Sequence, residues 1–305
     1  MAGMVACTLA AARNSKLSHD LLVSAIYKLY TVNASREVKW EYLHEAKMNP
    51  VILDAWVLGN GNFLFSHRYG IIEMNADRET VWEYKLEEKV PTELHSCQPL
   101  ADGKFLVLEC SENRLFEIDR AGNIYNEIAL TGTSKGAHTR YGVARKTPEG
   151  TYLVPYVLDG KVVEFDYNGK IIREITVQDL KRNYIWYAER LSNGNTLLST
   201  GHDRRVIEID PDDNIVWELR ESDLPGIKLF CLMGIQRLPN GNTLVCNGDF
   251  HIEELPRGEV MMFEVTFEKE VVWKLTRTEI GKTLPPMMQG QNPIYRTTQV
   301  KLISK

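Results

Sequence analysis

The sequence predicts an all-β protein, a six-bladed β-propeller built from four-stranded antiparallel blades, on the basis of three observations. A turn followed by an apolar strand recurs five times, about every 45 residues. Each recurrence is followed by two further strands and preceded by another, which is the content of one propeller blade. The two ends of the chain carry complementary parts of one more repeat, and these would close the ring.

Each repeat contains a tight turn between two apolar strands, which we name A and B. The turn glycines are Gly61, Gly103, Gly150, Gly194 and Gly241, at intervals of 42, 47, 44 and 47 residues. Asn-Gly and Asp-Gly between alternating apolar strands indicate a hairpin, because the tight turn needs a positive φ.

Strands C and D complete each repeat and carry two recurring residues. Strand C places a glutamate between apolar residues, and strand D places Trp82, Trp217 or Trp273 at a position held by Asn126 and Arg173 in the other two repeats. The strand C glutamates are Glu73, Glu117, Glu164, Glu208 and Glu264. Acid–base chemistry needs carboxylates that converge on one point, so we expect these dispersed glutamates to face solvent. The recurring tryptophan is expected to pack between blades.

The ends of the chain supply the sixth blade. Residues 19–43 match strands B, C and D, with Trp40 at the tryptophan position, and residues 294–304 match a strand A. Pairing of the two ends would close the ring and hide the edges of an open sheet. A seventh blade within residues 276–293 is disfavoured, because this stretch contains Pro285-Pro286 and no strand pattern.

Composition restricts the domain organisation and the partners. We expect one propeller domain over residues 15–305, after a disordered start or export-signal remnant at residues 1–14, where Ala12 stands in place of a lipoprotein cysteine. The net charge of −5 gives no basic field for nucleic acid. No apolar run is long enough to span a membrane. The five cysteines form no CxxC pair and predict no disulfide framework. A monomer is expected.

The turn, strand and Val-Trp-Glu pattern of these repeats resembles bacterial propellers of the PQQ-like (quinoprotein-like) and arylsulfotransferase-like superfamily. The resemblance covers nearly the whole chain. Quinone-dependent dehydrogenases have eight blades and a calcium-assisted site, whereas this chain has six repeats and no such carboxylate cluster. Arylsulfotransferase-like propellers have six blades, lie in the periplasm and use histidines at the centre of the ring. The resemblance therefore implies a periplasmic or cell-envelope protein, or a cytoplasmic one if the N-terminus is complete as written.

The histidines concentrate on one face of the predicted disc. We call the face with the A–B and C–D turns the turn face, and the face with the B–C loops and D–A connections the loop face. Six of the seven histidines fall on the loop face, and strand A lines the central channel. The candidate ligand-binding residues are His67, Arg68, His95, His138, Tyr141, Trp186, Tyr187, His202, Arg204, Met233 and His251. No pair of histidines has the short spacing of a local metal site, so neither a metal nor a cofactor is expected.

Three functions are compatible with this pattern. The leading hypothesis is an exported, non-enzymatic ligand-binding or scaffold protein that takes a small molecule, a carbohydrate or a peptide at the channel mouth. The first alternative is an arylsulfotransferase-like enzyme in which His95 or His138 is the nucleophile, with Arg68, Arg140 or Arg204 holding the sulfuryl oxygens. The second alternative is a PQQ-binding propeller.

Overall fold

The structure is a computed structural model, and it describes residues 20–25, 28–44, 51–87, 92–248, 259–276 and 297–303, the last of these in its backbone only. Predictions that concern residues 1–14, residues 277–293, His19 and His251 lie outside the described residues. No helix of the described chain is long and apolar enough to cross a membrane.

Six four-stranded antiparallel sheets form the blades, as the sequence predicts. Blade 1 contains β1 (Asp20–Ala25), β2 (Lys28–Val32), β3 (Val38–Leu43) and β24 (Thr297–Ile303). Blade 2 contains β4 (Ile52–Val57), β5 (Phe63–His67), β6 (Gly70–Met74) and β7 (Thr80–Lys85). Blade 3 contains β8 (Leu94–Pro99), β9 (Phe105–Glu109), β10 (Arg114–Ile118) and β11 (Ile124–Ala129). The helix α1 (Ala137–Arg140) lies between blades 3 and 4.

The remaining three blades follow the same order. Blade 4 contains β12 (Arg145–Lys146), β13 (Tyr152–Tyr156), β14 (Lys161–Phe165) and β15 (Ile171–Thr176). Blade 5 contains β16 (Tyr187–Arg190), β17 (Thr196–Ser199), β18 (Val206–Ile209) and β19 (Ile215–Leu219). Blade 6 contains β20 (Cys231–Arg237), β21 (Thr243–Gly248), β22 (Val260–Val265) and β23 (Val271–Thr276).

The predicted closure of the ring is confirmed. β24 pairs antiparallel with β1, with Asp20 opposite Ile303 and Val23 opposite Val300. Because the last strand completes the first sheet, blade 1 has the strand order β24-β1-β2-β3. The two ends of the chain are thereby held in one sheet, and the edge that β1 would otherwise expose is paired.

The turn glycines are required by backbone conformation and not by lack of space. Gly61 and Gly241 have φ values of +84° and +86°, and no atom lies within 4 Å of the place where a Cβ would stand. A side chain would fit there, but the left-handed conformation disfavours any residue that carries one.

The strand D tryptophan position joins neighbouring blades, as predicted. Nε1 of Trp82 donates to the carbonyl oxygen of Arg120 on blade 3 at 2.9 Å. Arg173, which replaces the tryptophan in blade 4, donates in the same way to the carbonyl oxygen of Asp210 on blade 5 at 2.7 Å. Trp217 donates to the Phe267 carbonyl of blade 6 at 2.7 Å. In these three blades the position supplies a donor to the next blade even when the aromatic ring is absent, whereas Nε1 of Trp273 in blade 6 has no hydrogen-bond partner among the described residues.

The prediction that the strand C glutamates face solvent is wrong. All five are buried, with exposed fractions of 1% to 6%. Glu208 accepts a hydrogen bond from Asn195 of its own A–B turn at 2.8 Å. It also forms an ion pair with Arg237 of the next blade at 2.7 Å. Both faces of a blade are covered by neighbouring blades, so strand alternation does not separate core from solvent here. A buried carboxylate is retained because it is fully paired.

The inner strands of three blades meet across the channel through a buried ion pair. Arg145 of β12 binds Asp54 of β4 with both terminal nitrogens, at 2.8 and 2.7 Å. The guanidinium carbon lies 4.9 Å from the ring centroids of both Trp56 and Tyr187. We call Asp54, Trp56, Arg145 and Tyr187 the channel plug. Burial lowers the pKa of Arg145, but the neighbouring Asp54 outweighs it, so the pKa is raised and the charge is retained.

Candidate functional site

Three titratable side chains from two connections meet at the channel mouth on the loop face. Glu93 immediately precedes β8 and His95 lies within it, so both point to the same side of the extended chain. His138 lies on α1, in the 130–144 connection between blades 3 and 4. This connection is long enough to carry a helical turn back over the mouth. We call Glu93, His95 and His138 the mouth cluster.

The cluster is centred on one carboxylate oxygen. Oε1 of Glu93 lies 2.6 Å from Nδ1 of His138 and 3.3 Å from Nε2 of His95. Nη2 of Arg68 is 3.7 Å from the same oxygen. The side chains of His95 and Glu93 are 0% and 5% exposed, whereas those of His138 and Arg68 are 36% and 20% exposed. His138 and Arg68 therefore form the solvent side of the site.

The indole ring of Trp186 forms the wall behind the imidazoles. Its ring centroid lies 5.4 Å from that of His95 and 5.6 Å from that of His138. The backbone of Trp186 is fixed by hydrogen bonds to Ser199 and Val143, at 3.0 and 2.9 Å. Trp186 is fully buried, and its Nε1 has no hydrogen-bond partner. The indole thus contributes shape and one unpaired donor to the site.

The charge on Glu93 follows from its neighbours. Burial alone raises the pKa of a carboxyl group, but the adjacent imidazoles of His138 and His95 outweigh it and hold the pKa of Glu93 well below its usual range. Glu93 is therefore a carboxylate at neutral pH, buried beside three basic side chains.

A row of ring and sulfur contacts continues from the mouth cluster around the mouth. Tyr184 stacks on Trp186 with centroids 6.2 Å apart and packs against His202 at 5.0 Å. Nε2 of His202 lies 3.9 Å from Sγ of Cys231, which lies 3.6 Å from Sδ of Met233. The structure thus connects five of the predicted site residues, which are His95, His138, Trp186, His202 and Met233.

Two predicted site residues take part only indirectly. The hydroxyl group of Tyr141 accepts a hydrogen bond from the Gly132 backbone at 2.7 Å, within the packing between blades 3 and 4. Its carbonyl oxygen accepts a hydrogen bond from Nδ1 of His95 at 2.8 Å. Tyr187 belongs to the channel plug, below the mouth. Both residues were predicted as ligand contacts because strand A lines the channel, but their side chains are used for packing.

Three other predicted residues lie away from the cluster. His67 packs against His44 with ring centroids 4.6 Å apart, next to blade 1. The guanidinium of Arg140 donates to the carbonyl oxygens of Ser134 and Cys110. Arg204 is exposed, at φ +60°, and its side chain has no partner among the described residues. Of the three arginines considered as an anion clamp, the structure leaves Arg68 beside the mouth cluster.

Glu93 is the site residue that the sequence analysis missed. The search followed histidines, and a single glutamate in a connection carried no motif. The available signal was the Glu-Leu-His spacing, because residues two apart on an extended strand face the same side. A carboxylate at that spacing from a mouth histidine can reach the same point as the imidazole.

Two open clefts lie on the opposite, turn face of the described structure. One, of about 490 Å³, runs between the A–B turns of blades 3 and 4 and is lined by Gln98, Leu100 and Lys146. The other, of about 420 Å³, lies between blades 5 and 6 and is lined by Glu189 and Arg237. Their polar residues are engaged in interblade contacts, as Arg237 is with Glu208. The clefts are open volumes whose polar residues are already paired, whereas the mouth cluster brings together titratable side chains with unpaired atoms.

Comparison with known proteins supports the fold. No family model matches the chain, and no curated protein matches it. A crystal structure of a protein of unknown function from Bacteroides caccae is 22% identical, with a TM-score of 0.78 over 94% of this chain and 99% of that one. A streptogramin B lyase is 10% identical, with a TM-score of 0.60 over 86% of this chain and 83% of that one.

A further neighbour is a catalytically inactive histidine-to-alanine variant of virginiamycin B lyase from Staphylococcus aureus, solved with quinupristin. It is 15% identical, with a TM-score of 0.55 over 76% of this chain and 72% of that one. At these identities the likeness concerns the propeller fold alone.

Proposed function

We propose that this propeller binds a small ligand with an acidic group, a carbohydrate or a peptide, at the mouth cluster on the loop face. The observation that carries the proposal is incomplete pairing of buried polar atoms: Nε1 of Trp186, Nε2 of His95 and Nε of Arg68 have no hydrogen-bond partner. An unpaired buried polar group costs about 1–3 kcal/mol. Arg68 and His95 lie beside the Glu93 carboxylate, and Trp186 packs on the imidazoles, so the three unpaired atoms favour a ligand site over a purely structural element.

The acidic character of the ligand follows from the charge balance. Glu93 contacts three basic side chains, Arg68, His95 and His138. The two partly exposed members are Arg68 and His138, so a ligand that arrives from solvent meets basic groups first. Arginine presents a planar fork of donors that suits carboxylate and sulfate oxygens. An envelope location, implied by the arylsulfotransferase-like resemblance, belongs to this proposal.

An enzyme is the second candidate, and one feature favours it. Nδ1 of His138 is held by Glu93 at 2.6 Å, which leaves Nε2 available to a ligand on the exposed side. A base that is oriented by a carboxylate is the usual arrangement for acid–base or nucleophilic catalysis. In sulfuryl transfer, the Nε2 lone pair would form the bond to sulfur while the bond from sulfur to the aryl oxygen breaks, with Arg68 beside the sulfuryl oxygens.

The mouth cluster does not favour the quinone-cofactor alternative. A calcium-assisted site needs several oxygen ligands, and the mouth cluster of the described residues contains one carboxylate and two imidazoles.

Calorimetric titration with oligouronates, acidic peptides and 4-nitrophenyl sulfate tests the binding proposal. Arg68→Gln is expected to weaken binding about tenfold or more, since a charge-assisted hydrogen bond contributes about 1.5–3 kcal/mol. Arg204→Gln is the matched control, because it removes an exposed arginine from the same face. Equal affinities of the two variants for every ligand that binds would remove the site from the mouth.

Release of 4-nitrophenolate from 4-nitrophenyl sulfate distinguishes the enzyme. With phenol added to accept the sulfuryl group from His138, the enzyme candidate expects turnover in the wild-type protein and none in His138→Gln. Binding without turnover in the wild-type protein supports the binding protein instead.

A further inference from the structure

We infer that Glu93, His95 and His138 hold one divalent transition-metal ion of the zinc class, an inference that deepens the ligand site proposed above and rests on it. The three side chains each offer one donor atom, and these atoms lie within 4.8 Å of one another. Among the described residues, these are the three histidine, cysteine, aspartate or glutamate side chains whose ligand atoms lie close enough to hold one metal ion.

The tautomer of His95 is the first argument. Nδ1 lies 2.8 Å from the carbonyl oxygen of Tyr141, which can only accept, so Nδ1 carries the hydrogen. A neutral His95 therefore presents the lone pair of Nε2 on the side of Glu93. This nitrogen is fully buried and has no hydrogen-bond partner.

The distance between His95 and Glu93 is the second argument. Nε2 and Oε1 are 3.3 Å apart, and Nε2 has no hydrogen-bond partner. A metal ion bound by both atoms lies off the line that joins them. The observed arrangement is that of two ligands to one ion.

Distances allow the third ligand to join. Metal bonds of about 2.0–2.2 Å in a tetrahedral site place the donor atoms about 3.4 Å apart. The separation between Glu93 and His95 already has this value. Nδ1 of His138, 2.6 Å from Oε1, has to withdraw by roughly 1 Å on this geometry. His138 is 36% exposed and lies on a four-residue helix in a long connection, so it can move by this amount.

The donor set determines the class of metal. Two imidazoles and one carboxylate suit zinc and related transition metals, whereas magnesium and calcium prefer oxygen ligands. Three protein ligands leave a fourth position open. The N–H of His95 that is held by a backbone carbonyl matches the outer contact that orients metal-binding histidines. An acidic ligand could then bind the ion and Arg68 together.

The position of Arg68 predicts opposite effects of one substitution on metal binding and on the binding of an acidic ligand. Its Nη2 lies 3.7 Å from Oε1 of Glu93, so the arginine competes with a cation for the carboxylate. Removing that charge with Arg68→Gln is expected to strengthen metal binding while it weakens the binding of an acidic ligand. A site without metal would show the second effect alone.

Titration of the untagged, chelator-treated full chain with Co²⁺ and then Zn²⁺ tests the inference. We expect one ion per chain, visible Co²⁺ absorption bands and their loss on addition of Zn²⁺. Glu93→Gln and His138→Gln should each weaken binding by at least about 10–100-fold, the range already observed for outer contacts of metal ligands. His202→Gln, at the mouth but outside the cluster, is the control and should bind as the wild type does.

Two results overturn the inference: no uptake of Co²⁺ or Zn²⁺ by the wild-type protein, or equal uptake by the His138→Gln variant. If Glu93→Gln does not fold, His138→Gln still tests the inference, because His138 is partly exposed and its replacement is better tolerated. Oligouronate titration in excess chelator separates the two proposals. Undiminished oligouronate binding without metal uptake overturns the metal inference and leaves the ligand site. If metal uptake depends on His138 but no oligouronate, acidic peptide or aryl sulfate binds, the proposed ligand site is overturned and the metal inference remains.

Discussion

The channel plug and the mouth cluster are both ionic groups at the centre of the propeller, and they are built in opposite ways. In the plug, Asp54 accepts two hydrogen bonds from Arg145 and others from Trp56 and the backbone of Cys97. In the mouth cluster, His95 keeps an unpaired nitrogen, and so do its neighbours Trp186 and Arg68.

The difference separates a structural role from a binding role. Low polarity inside a protein strengthens a fully paired network and makes an unpaired group costly. The plug has no remaining donor directed at a ligand, and Arg145 and Asp54 are 4% and 0% exposed. The mouth cluster has unpaired atoms and two partly exposed members. Between these two groups, the complete pairing of the plug suits a part that holds blades together, whereas the incomplete pairing of the mouth cluster suits the ligand site that we propose.

Breaking the plug is expected to have the largest effect on stability. Arg145→Met leaves the Asp54 carboxylate buried without its partner, and loss of one member of a buried pair costs about 3–5 kcal/mol. Urea unfolding measures this change. Asp54→Leu combined with Arg145→Met should recover part of the loss, because no unpaired charge remains. A loss below about 1 kcal/mol for Arg145→Met would mean that the plug is not structural.

The strand C glutamates provide a second paired network, with a smaller expected effect. Glu208→Gln keeps the size of the side chain but replaces a carboxylate that binds Asn195 and Arg237. We expect a loss of about 1–3 kcal/mol, typical of hydrogen bonds to a charged group. Glu174→Gln, on the outer strand of blade 4, is a control with a smaller expected loss, because its side chain is 43% exposed and pairs with the partly exposed Lys161. Equal effects would show that burial of the strand C carboxylate is unimportant.

Much of the fold could be predicted because each repeat restates the same local chemistry. The turn glycines, such as Gly61, need a positive φ, and the recurring Trp82 position needs a partner on the next blade. Five copies of the turn glycine and four of the tryptophan reinforce one another. The glutamate prediction failed at Glu208 for the same reason that the fold succeeded: periodicity shows that a position is equivalent between blades but not what covers it.

The site could be predicted only in part, because it depends on contacts between blades. His95 and His138 were placed on the correct face by their loops. Their meeting at Glu93 requires the 130–144 connection to fold back over the mouth, and no spacing in the chain encodes this distance. His67 shows the converse, since this loop-face histidine is buried against His44 of blade 1 and not in the mouth cluster.

His67 supplies a further test, on the pH dependence of stability. Its Nε2 is buried without a hydrogen-bond partner, and the residue lies away from the mouth cluster. Burial, followed by the charges of His44 and Lys85, lowers the pKa of His67 to about 3. An unfolded histidine has a pKa near 6.5. Between pH 6.5 and pH 3 the unfolded chain therefore binds a proton at this residue that the folded chain does not bind. The folded protein loses stability as the pH falls through this range. Stability should fall by about 1–2 kcal/mol from pH 7 to pH 5.

Thermal or urea unfolding of His67→Gln at both pH values measures this contribution. The variant should show a smaller loss of stability on acidification, because glutamine does not titrate, and its affinity for oligouronates should be unchanged. An identical pH dependence in the variant and the wild type would assign the acid sensitivity to other groups.

His138→Gln should have the smallest effect on stability and the most direct effect on binding. The side chain is 36% exposed and lies on the short helix α1, whereas the side chains of Arg145 and Asp54 in the plug are 4% and 0% exposed. Glutamine can still donate a hydrogen bond to Glu93, so the carboxylate keeps a partner, but the imidazole Nε2 is lost. We therefore expect unfolding curves that superimpose on the wild type together with about tenfold weaker oligouronate binding, equivalent to about 1.4 kcal/mol. Arg145→Met should show the opposite pattern, with lower stability and an unchanged affinity for the folded fraction. If His138→Gln lost as much stability as Arg145→Met, incomplete pairing would no longer distinguish the mouth cluster from the plug, and the mouth cluster would be structural.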